Sequence, residues 1–179
     1  EGRPVVLAWP QTYMNLSGEA VRELVSFYKI GGEEILVLHD EMDLAPGLLK
    51  MSFGGGTAGH NGLSSILAML REDFCRLKIG IGRPPKDIFV NGSADYVLGR
   101  FLEMEWPLVD KALDESAEAV VEWLTLGLAK AQNQVNRRQK KAVSKPSTEP
   151  SSSEAGAATR ARLGPDGDSA AANSASVGE

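Results

Sequence analysis

The sequence predicts an α/β fold, in which a single domain holds a mixed, mostly parallel sheet flanked by helices. Strand-like and helix-like hydrophobic periods alternate from the first residues to about residue 127, which is typical of such a layered structure. The 179 residues, 42% of them apolar, are enough for one domain with a sizeable core. No apolar run approaches the roughly 20 residues that span a bilayer.

The first half of the chain supplies the first helix and three predicted strands. Residues 4–8 have the composition of a strand, and residues 17–29 place Val21, Leu24, Val25 and Tyr28 on one helical face. Residues 34–39, EILVLH, are typical of a buried strand. GLLKMSF, at residues 47–53, is predicted to be a strand that ends in a glycine loop.

The second half adds two helices and one strand. Residues 60–71 are predicted to be helical, and residues 74–81, FCRLKIGI, to be a strand. DYVLGRF, at residues 95–101, is predicted to be a short extended or turn segment. Residues 104–127 form a long amphipathic pattern with Leu108, Ala112, Ala119 and Trp123 on its apolar face.

Composition divides the chain into a domain over residues 1–140 and a tail over residues 141–179. The tail consists mainly of Ser, Ala, Gly, Pro and Glu, so we expect it to be disordered. Residues 1–136 hold 12 Lys and Arg against 19 Asp and Glu, which excludes non-specific nucleic-acid binding through net charge. Residues 137–145, RRQKKAVSK, hold five basic residues and no acid; we interpret them as a solvated linker, with an RNA-binding arm as the alternative.

The single cysteine, Cys75, is typical of a protein from a reducing compartment. Because its neighbours are apolar, we interpret Cys75 as a small core residue. We expect a cytoplasmic protein that does not enter the membrane.

Three polar clusters fall at strand ends or helix starts. In FGGGTAGHNG the glycines Gly54, Gly56 and Gly59 match the formal dinucleotide-binding pattern, but no acid ends the next strand, because Asp73 precedes it. We therefore predict a loop that brings backbone close to a ligand and projects His60 and Asn61 from a helix N-terminus.

LHDEMDLAPG places Asp40 directly after a buried strand, where it could orient a histidine. For Glu41 and Asp43 we favour a solvated turn. A metal site made by these acids with His39 and His60 lacks a recognised ligand spacing, so we predict no metal.

PQTYMNLSG places Asn15 and Ser17, both favourable N-cap residues, at the start of the first helix. Asn15, Asp40, His60 and Asn61 together form a set suited to polarising a carbonyl and a water. This set contains no evident covalent nucleophile.

Four stretches, in their order and separations, resemble the bacterial peptidyl-tRNA hydrolase family: PQTYMNLSG, ILVLHDEMDLAPG, GGGTAGHNGLSSI and RLKIGIGRP. The later YVLGRF is similar to the FVLG element of that family. The resemblance covers residues 4–136. It implies an enzyme that hydrolyses the ester between a peptide and the 3′ end of tRNA on one α/β domain. It also implies no cofactor, and we expect a monomer.

The resemblance also implies roles for individual residues. Tyr13 is similar to a tRNA-contacting aromatic residue and Met14 to an apolar wall of the cleft. Asn15 and Asn61 match two amides that position the peptidyl and adenosine end, Asp40 an acid that holds the catalytic histidine, and His60 a supporting histidine. Lys50 and Lys78 fall at positions that grip the 5′ phosphate of the tRNA, although an arginine is usual at position 78.

Two motifs of the family, GNPG and RHN, are not found in this sequence, and the histidine of RHN is the general base. We therefore expect an N-terminally incomplete relative that lacks the first strand and has feeble activity. The alternative is a non-catalytic RNA-binding relative similar to plant organellar splicing factors. A nucleotide-dependent oxidoreductase is a third class.

Overall fold

The computed structural model describes residues 2, 4–84 and 93–143, which form one α/β unit. Short 3₁₀ turns span Met14–Leu16 and Gly32–Glu34. The strands are β1 (Leu36–Glu41), β2 (Leu49–Phe53) and β3 (Cys75–Gly80). The helices are α1 (Ser17–Tyr28), α2 (Asn61–Leu70), α3 (Ser93–Leu98), α4 (Trp106–Leu126) and α5 (Leu128–Val143).

The sheet has the order β1-β3-β2 and is mixed. β1 runs parallel to β3 with His39 opposite Lys78, and β2 runs antiparallel to β3 with Lys50 opposite the same lysine. Register partners point to the same face of a sheet, so these three side chains form a polar row across it. The mixed sheet with flanking helices confirms the predicted fold class.

Apolar layers cover both faces of the sheet. On one face, buried residues of the sheet pack with small residues of α4 and α5; this cluster consists of Leu49, Met51, Leu77, Ala112, Ala119, Ala131 and Val135. On the other face, Ile35 and Phe74 pack with Leu63 and Ile66 of α2 and with the apolar side of α1. Cys75 is fully buried with a free thiol, which confirms its prediction as a core residue.

The two edges of the sheet differ. In the antiparallel pair of β2 and β3, hydrogen-bonded and non-hydrogen-bonded positions alternate along each strand. Gly80 donates its N–H to the carbonyl of Leu48, so Leu48 is at a hydrogen-bonded position and Met51, three residues later, is not. The backbone N–H and C=O of Met51 therefore point away from β3. The side-chain amide of Asn136 in α5 accepts from the N–H of Met51 at 2.9 Å and donates to its carbonyl at 3.0 Å. Asn136 thus takes the place of a neighbouring strand. Among the described residues, no strand pairs with the outer edge of β1.

Several predicted elements are wrong. Residues 4–8 form no strand, and Val5, Val6 and Leu7 are exposed. The segment DYVLGRF is mostly the helix α3, not extended chain. Residues 137–143 belong to α5, so they are not a linker.

Other predictions are confirmed to within a few residues. The strands β1, β2 and β3 and the helices α1, α2 and α4 all lie where the periodicity placed them. The greater part of the predicted tail, residues 144–179, lies outside the described residues. No helix in the described part of the chain combines the length and the apolar character that crossing a bilayer requires.

Candidate active site

The centre of the candidate site is a contact between β1 and the loop that precedes α2. Asp40 lies in β1, and its Oδ1 is 3.2 Å from Nε2 of His60. This hydrogen bond holds the pKa of Asp40 below its ordinary value, although partial burial of the carboxyl group acts in the opposite direction. Asp40 is therefore a carboxylate over the ordinary pH range.

Both ring nitrogens of His60 have partners. Its Nδ1 accepts hydrogen bonds from the backbone N–H groups of Gly62 at 3.1 Å and Leu63 at 3.3 Å, so His60 is the N-cap of α2. An accepting Nδ1 requires the proton to be on Nε2, which donates it to Asp40. His60 is thus fixed in one tautomer, between a helix N-terminus and a carboxylate.

His39 adds a second imidazole beside that of His60. Its ring is 5.2 Å from that of His60 in an edge-on arrangement, and its Nδ1 lies 2.7 Å from the carbonyl oxygen of Asp40. Nε2 of His39 is buried without a hydrogen-bond partner among the described residues. Burial lowers the pKa of His39 from 6.5 to about 4, and the nearby His60 and Lys78 act in the same direction. His39 is therefore neutral at neutral pH.

The turn before α1 supplies the opposite wall of the site. A Cβ atom on Gly62 would be 2.6 Å from Sδ of Met14 and 3.0 Å from Cε1 of His60, so Met14 packs against the start of α2 beside the imidazole. Asn15 follows Met14 in the same turn and is exposed. Tyr13 precedes the turn and is 81% exposed.

Asn61 is the first residue of α2, directly after His60, and its side chain is exposed. The structure therefore brings Asp40, His60 and Met14 into one cluster, with Asn15 and Asn61 beside it in the chain. The N-cap predictions for α1 are wrong. Leu16 is its N-cap residue, and the hydroxyl of Ser17 donates instead to the carbonyl of Met14 at 2.8 Å.

The two predicted phosphate-binding lysines differ in their surroundings. Lys50 is exposed on β2. Nζ of Lys78 is 2.7 Å from Oε2 of Glu41, and both side chains are mostly buried. Burial acts to raise the pKa of Glu41, but the hydrogen bonds from Lys78 and from the N–H of Asp43 hold it below its ordinary value.

Comparison with known proteins shows the family of the chain. The family model described as Peptidyl-tRNA hydrolase matches residues 1–143. The peptidyl-tRNA hydrolase of Lachnoclostridium phytofermentans is 46% identical over 139 residues, which cover 77% of this chain and 71% of that protein. The chain belongs to the peptidyl-tRNA hydrolase family.

Further peptidyl-tRNA hydrolases show what share of the length of its relatives the chain covers. The peptidyl-tRNA hydrolase of Histophilus somni is 47% identical over 129 residues, 71% of this chain and 65% of that protein. A crystal structure of peptidyl-tRNA hydrolase from Acinetobacter baumannii matches with a TM-score of 0.63 and 41% identity, covering 71% of this chain and 63% of that chain. The chain thus spans about two thirds of the length of these peptidyl-tRNA hydrolases.

One residue of the site differs from the sequence prediction, and another was not predicted. Glu41 is not in a solvated turn but is a buried member of β1, whereas Asp43 is exposed and pairs with Arg83 at 2.6 Å. His39 contacts the backbone carbonyl of Asp40, and the described residues contain no cluster of three potential metal ligands. Arg76, buried in β3, opens the stretch RLKIGIGRP but was given no role, because the sequence pattern does not show that it lies beneath the glycine loop.

Proposed function

We propose that the chain hydrolyses the ester bond between peptide and tRNA in peptidyl-tRNA, releasing the tRNA for reuse in translation. The observation that carries the proposal is the Asp40 to His60 contact, with Asn15 and Asn61 beside it, in a member of this family. A carboxylate, a fixed imidazole and two exposed amides can orient and polarise an ester carbonyl without a covalent intermediate. The proposed site uses no metal and no cofactor.

Each side chain has a proposed role that follows from its position. Asn15 and Asn61 donate from their amides to the peptidyl carbonyl and the terminal adenosine. Met14 forms the apolar wall of the cleft, and the exposed ring of Tyr13 stacks on a base of the acceptor end. Asp40 and His60 hold the polar network in one hydrogen-bonding arrangement.

Binding of the tRNA 5′ phosphate is assigned to Lys50 and Lys78. Lys50 is exposed and can contact phosphate directly. Lys78 is paired with Glu41, which offsets its charge, so it becomes a direct phosphate contact when that pair opens. The proposed enzyme acts as a monomer in the cytoplasm.

Turnover by the chain is proposed to be slow, because neither imidazole of this sequence can take a proton from water. Nδ1 of His60 accepts from the helix and its Nε2 donates to Asp40. His39 is buried, and its pKa of about 4 makes it a weak base. A general base contributes about 10² to 10⁴ in rate, and this factor is the expected deficit.

The test measures hydrolysis of an N-acetyl-aminoacyl-tRNA with and without free imidazole in the buffer. We expect slow release of tRNA that rises with imidazole concentration, because the added base occupies the open side of Asp40. Asn61→Ala should lower the rate by about 10²-fold if its amide stabilises the transition state. Asp40→Asn should abolish the response to imidazole.

Asp43→Asn is the matched control, because it removes a carboxylate that is exposed and paired with Arg83 outside the cluster. Its rate should equal that of the parent chain. Hydrolysis that proceeds equally fast in the parent and in Asn61→Ala would contradict the assigned site. A fast rate without imidazole would contradict the argument about the base.

The second candidate is a non-catalytic RNA-binding protein, and one property of α5 favours it. The helix carries Lys130, Arg137, Arg138, Lys140 and Lys141 and no acidic residue. Arg138 is held by Glu122 of α4 through two hydrogen bonds of 2.6 and 3.0 Å, but Lys130, Arg137 and Lys140 are exposed. Exposed cations at this density suit a phosphate backbone.

Replacement of these three exposed cations by Gln tests the second candidate. If α5 binds RNA, the slope of log affinity against log salt should become shallower by about 0.9 for each lost duplex phosphate contact. Replacing exposed Lys29, Arg71 and Arg100 by Gln makes the same charge change elsewhere and should leave the slope nearly unchanged. A hydrolytic rate that is retained in the α5 variant would show that hydrolysis does not depend on these three cations.

A further inference from the structure

Arg76 in β3 is a fully buried guanidinium group with few partners. Its Nη1 donates to the carbonyl of Gly56 at 2.8 Å, while Nε and Nη2 find no acceptor among the described residues. No described ion pair includes Arg76. Burial of a charged group with incomplete hydrogen bonding costs free energy. The burial of Arg76 therefore needs a physical explanation, and its hydrogen bond to Gly56 suggests where to look.

The surroundings of Arg76 form the floor beneath the glycine loop, residues 54–59. The guanidinium carbon lies 4.8 Å from the centre of the Phe74 ring, which is itself fully buried. The N–H of Gly54 donates to the carbonyl of Phe74 at 2.9 Å, and a Cβ on Gly54 would be 2.6 Å from Cγ of Asp73. Phe74, which directly precedes β3, therefore holds the loop at Gly54, and Arg76 in β3 holds it at Gly56.

The loop needs such tethers because of its composition. Gly54, Gly55, Ala58 and Gly59 have φ values of 62°, 103°, 48° and 83°. Glycine loses more backbone entropy on ordering than any other residue, and alanine rarely adopts a positive φ. The residue that follows the loop is His60. Any freedom at Gly56 is therefore transmitted to the imidazole at the centre of the site.

We propose that Arg76 is a positioning residue: by fixing the Gly56 carbonyl it makes the glycine loop deliver His60 to Asp40 and to the N-terminus of α2 in one tautomer. An arginine suits this position because its guanidinium group lies over the Phe74 ring and retains its charge when buried. Lysine would lose the planar group and holds its charge less firmly when buried. The relevance of this residue to hydrolysis rests on the proposed function, but the geometric statement does not.

The sequence contains two histidines, so the test can observe each ring directly. Nitrogen NMR of the folded protein with labelled histidine should show His60 as a single Nε2–H tautomer in the parent chain. In Arg76→Met we expect averaged tautomers for His60, while His39 keeps its parent signals. Arg76→Lys should restore part of the His60 pattern. His39→Gln assigns the two rings.

The matched control is Arg138→Met, which removes a part-buried arginine that pairs with Glu122 in α4, away from the loop. Unchanged His60 signals are expected there even if stability falls. Unchanged His60 signals in folded Arg76→Met would overturn the proposal. If Arg76→Met does not fold, the same criterion is applied to Arg76→Lys.

Hydrolysis measured on the same variants separates this inference from the proposed function. A displaced His60 should lower the imidazole-assisted rate by about 10²-fold in Arg76→Met, with partial recovery in Arg76→Lys. Altered His60 tautomers without hydrolysis in any variant would support the positioning role and contradict the proposed function. Unaltered His60 tautomers with normal hydrolysis would contradict the positioning role and support the proposed function.

Discussion

His60 uses both ring nitrogens for structure, and this limits the chemistry that it can perform. One nitrogen caps α2 and the other donates to Asp40. The neighbouring His39 is also committed, since its Nδ1 is 2.7 Å from the Asp40 carbonyl. Asp40 thus receives hydrogen bonds at its side chain and at its backbone. In the proposed function, Asp40 therefore holds imidazoles in place and does not accept a proton from water.

Glu41→Gln tests whether Lys78 is restrained by its carboxylate partner. We expect the neutral amide to release Lys78, since Nζ now lies 2.7 Å from Oε2 of Glu41 in a mostly buried pair. Affinity for tRNA should rise, and one added phosphate contact should steepen the salt slope by about 0.9. Filter binding at several salt concentrations measures both. Asp114→Asn, with the same charge change on exposed α4, should raise affinity much less.

The residues of the site were predictable where they belonged to a sequence motif. They were less predictable where the exact end of a strand determined whether a side chain is buried. Asp40, His60 and Asn61 followed from strand-end and helix-start patterns, and the structure brings Asp40 and His60 together. Glu41 was assigned to a turn because the predicted strand ended at His39. β1 continues through Glu41, and two further residues in a strand suffice to bury an acid instead of solvating it.

At the scale of elements, periodicity located the parts with strong apolar patterns and failed for those that depend on partners. Residues 4–8 are rich in strand-forming residues, but a strand requires a neighbour for its backbone groups, and no segment in the described part of the chain pairs with them. The helix α3 has only six residues, fewer than a sequence pattern can reveal. The helix α5 buries Ala131 and Val135, too little apolar surface to produce a clear signal.

Gly18→Ala tests the close approach of α1 to α2. The N–H of Gly18 donates to Oγ of Ser65 at 2.9 Å, and an added Cβ would overlap the carbonyl oxygen of Ser65. We expect the free energy of unfolding in urea to fall by about 2 kcal/mol or more, because the overlap involves backbone that cannot rotate away. Hydrolysis should fall too, since the turn carrying Asn15 precedes α1.

Gly31→Ala is the control for this substitution. Gly31 has a φ of −98°, and a Cβ there would meet no atom within 4 Å. Its effect on the free energy of unfolding should be within about 0.5 kcal/mol. A similar stability in the two alanine variants would show that the helices can separate without cost.

For the whole molecule, the buried His39 predicts a loss of stability in mild acid. Its pKa is 6.5 ordinarily and about 4 in the folded protein, so between these values the unfolded chain binds a proton that the folded chain does not. Stability is therefore full above pH 6.5 and falls as the pH approaches 4. At about 1.4 kcal/mol per pH unit, the loss is roughly 3 kcal/mol.

His39→Asn should remove this dependence, because the amide keeps a donor near the position of Nδ1 but does not titrate. Urea unfolding at pH 7, 5.5 and 4 measures it in both proteins. The lowered pKa of Asp40 acts in a separate window, since its stabilising contribution is lost only below its ordinary value of 3.8. An equal slope in the two proteins between pH 6.5 and 4 would assign the acid sensitivity to other groups.

The amide of Asn136 that completes the edge of β2 lies 85 residues after Met51 in the chain. During synthesis at about 5 to 20 residues per second, β2 therefore waits roughly 4 to 17 s for this amide to be made. Throughout that interval the nascent chain presents a bare strand that a chaperone or a neighbouring nascent chain could engage. The outer edge of β2 is therefore protected only after Asn136, near the end of the domain, has been synthesised.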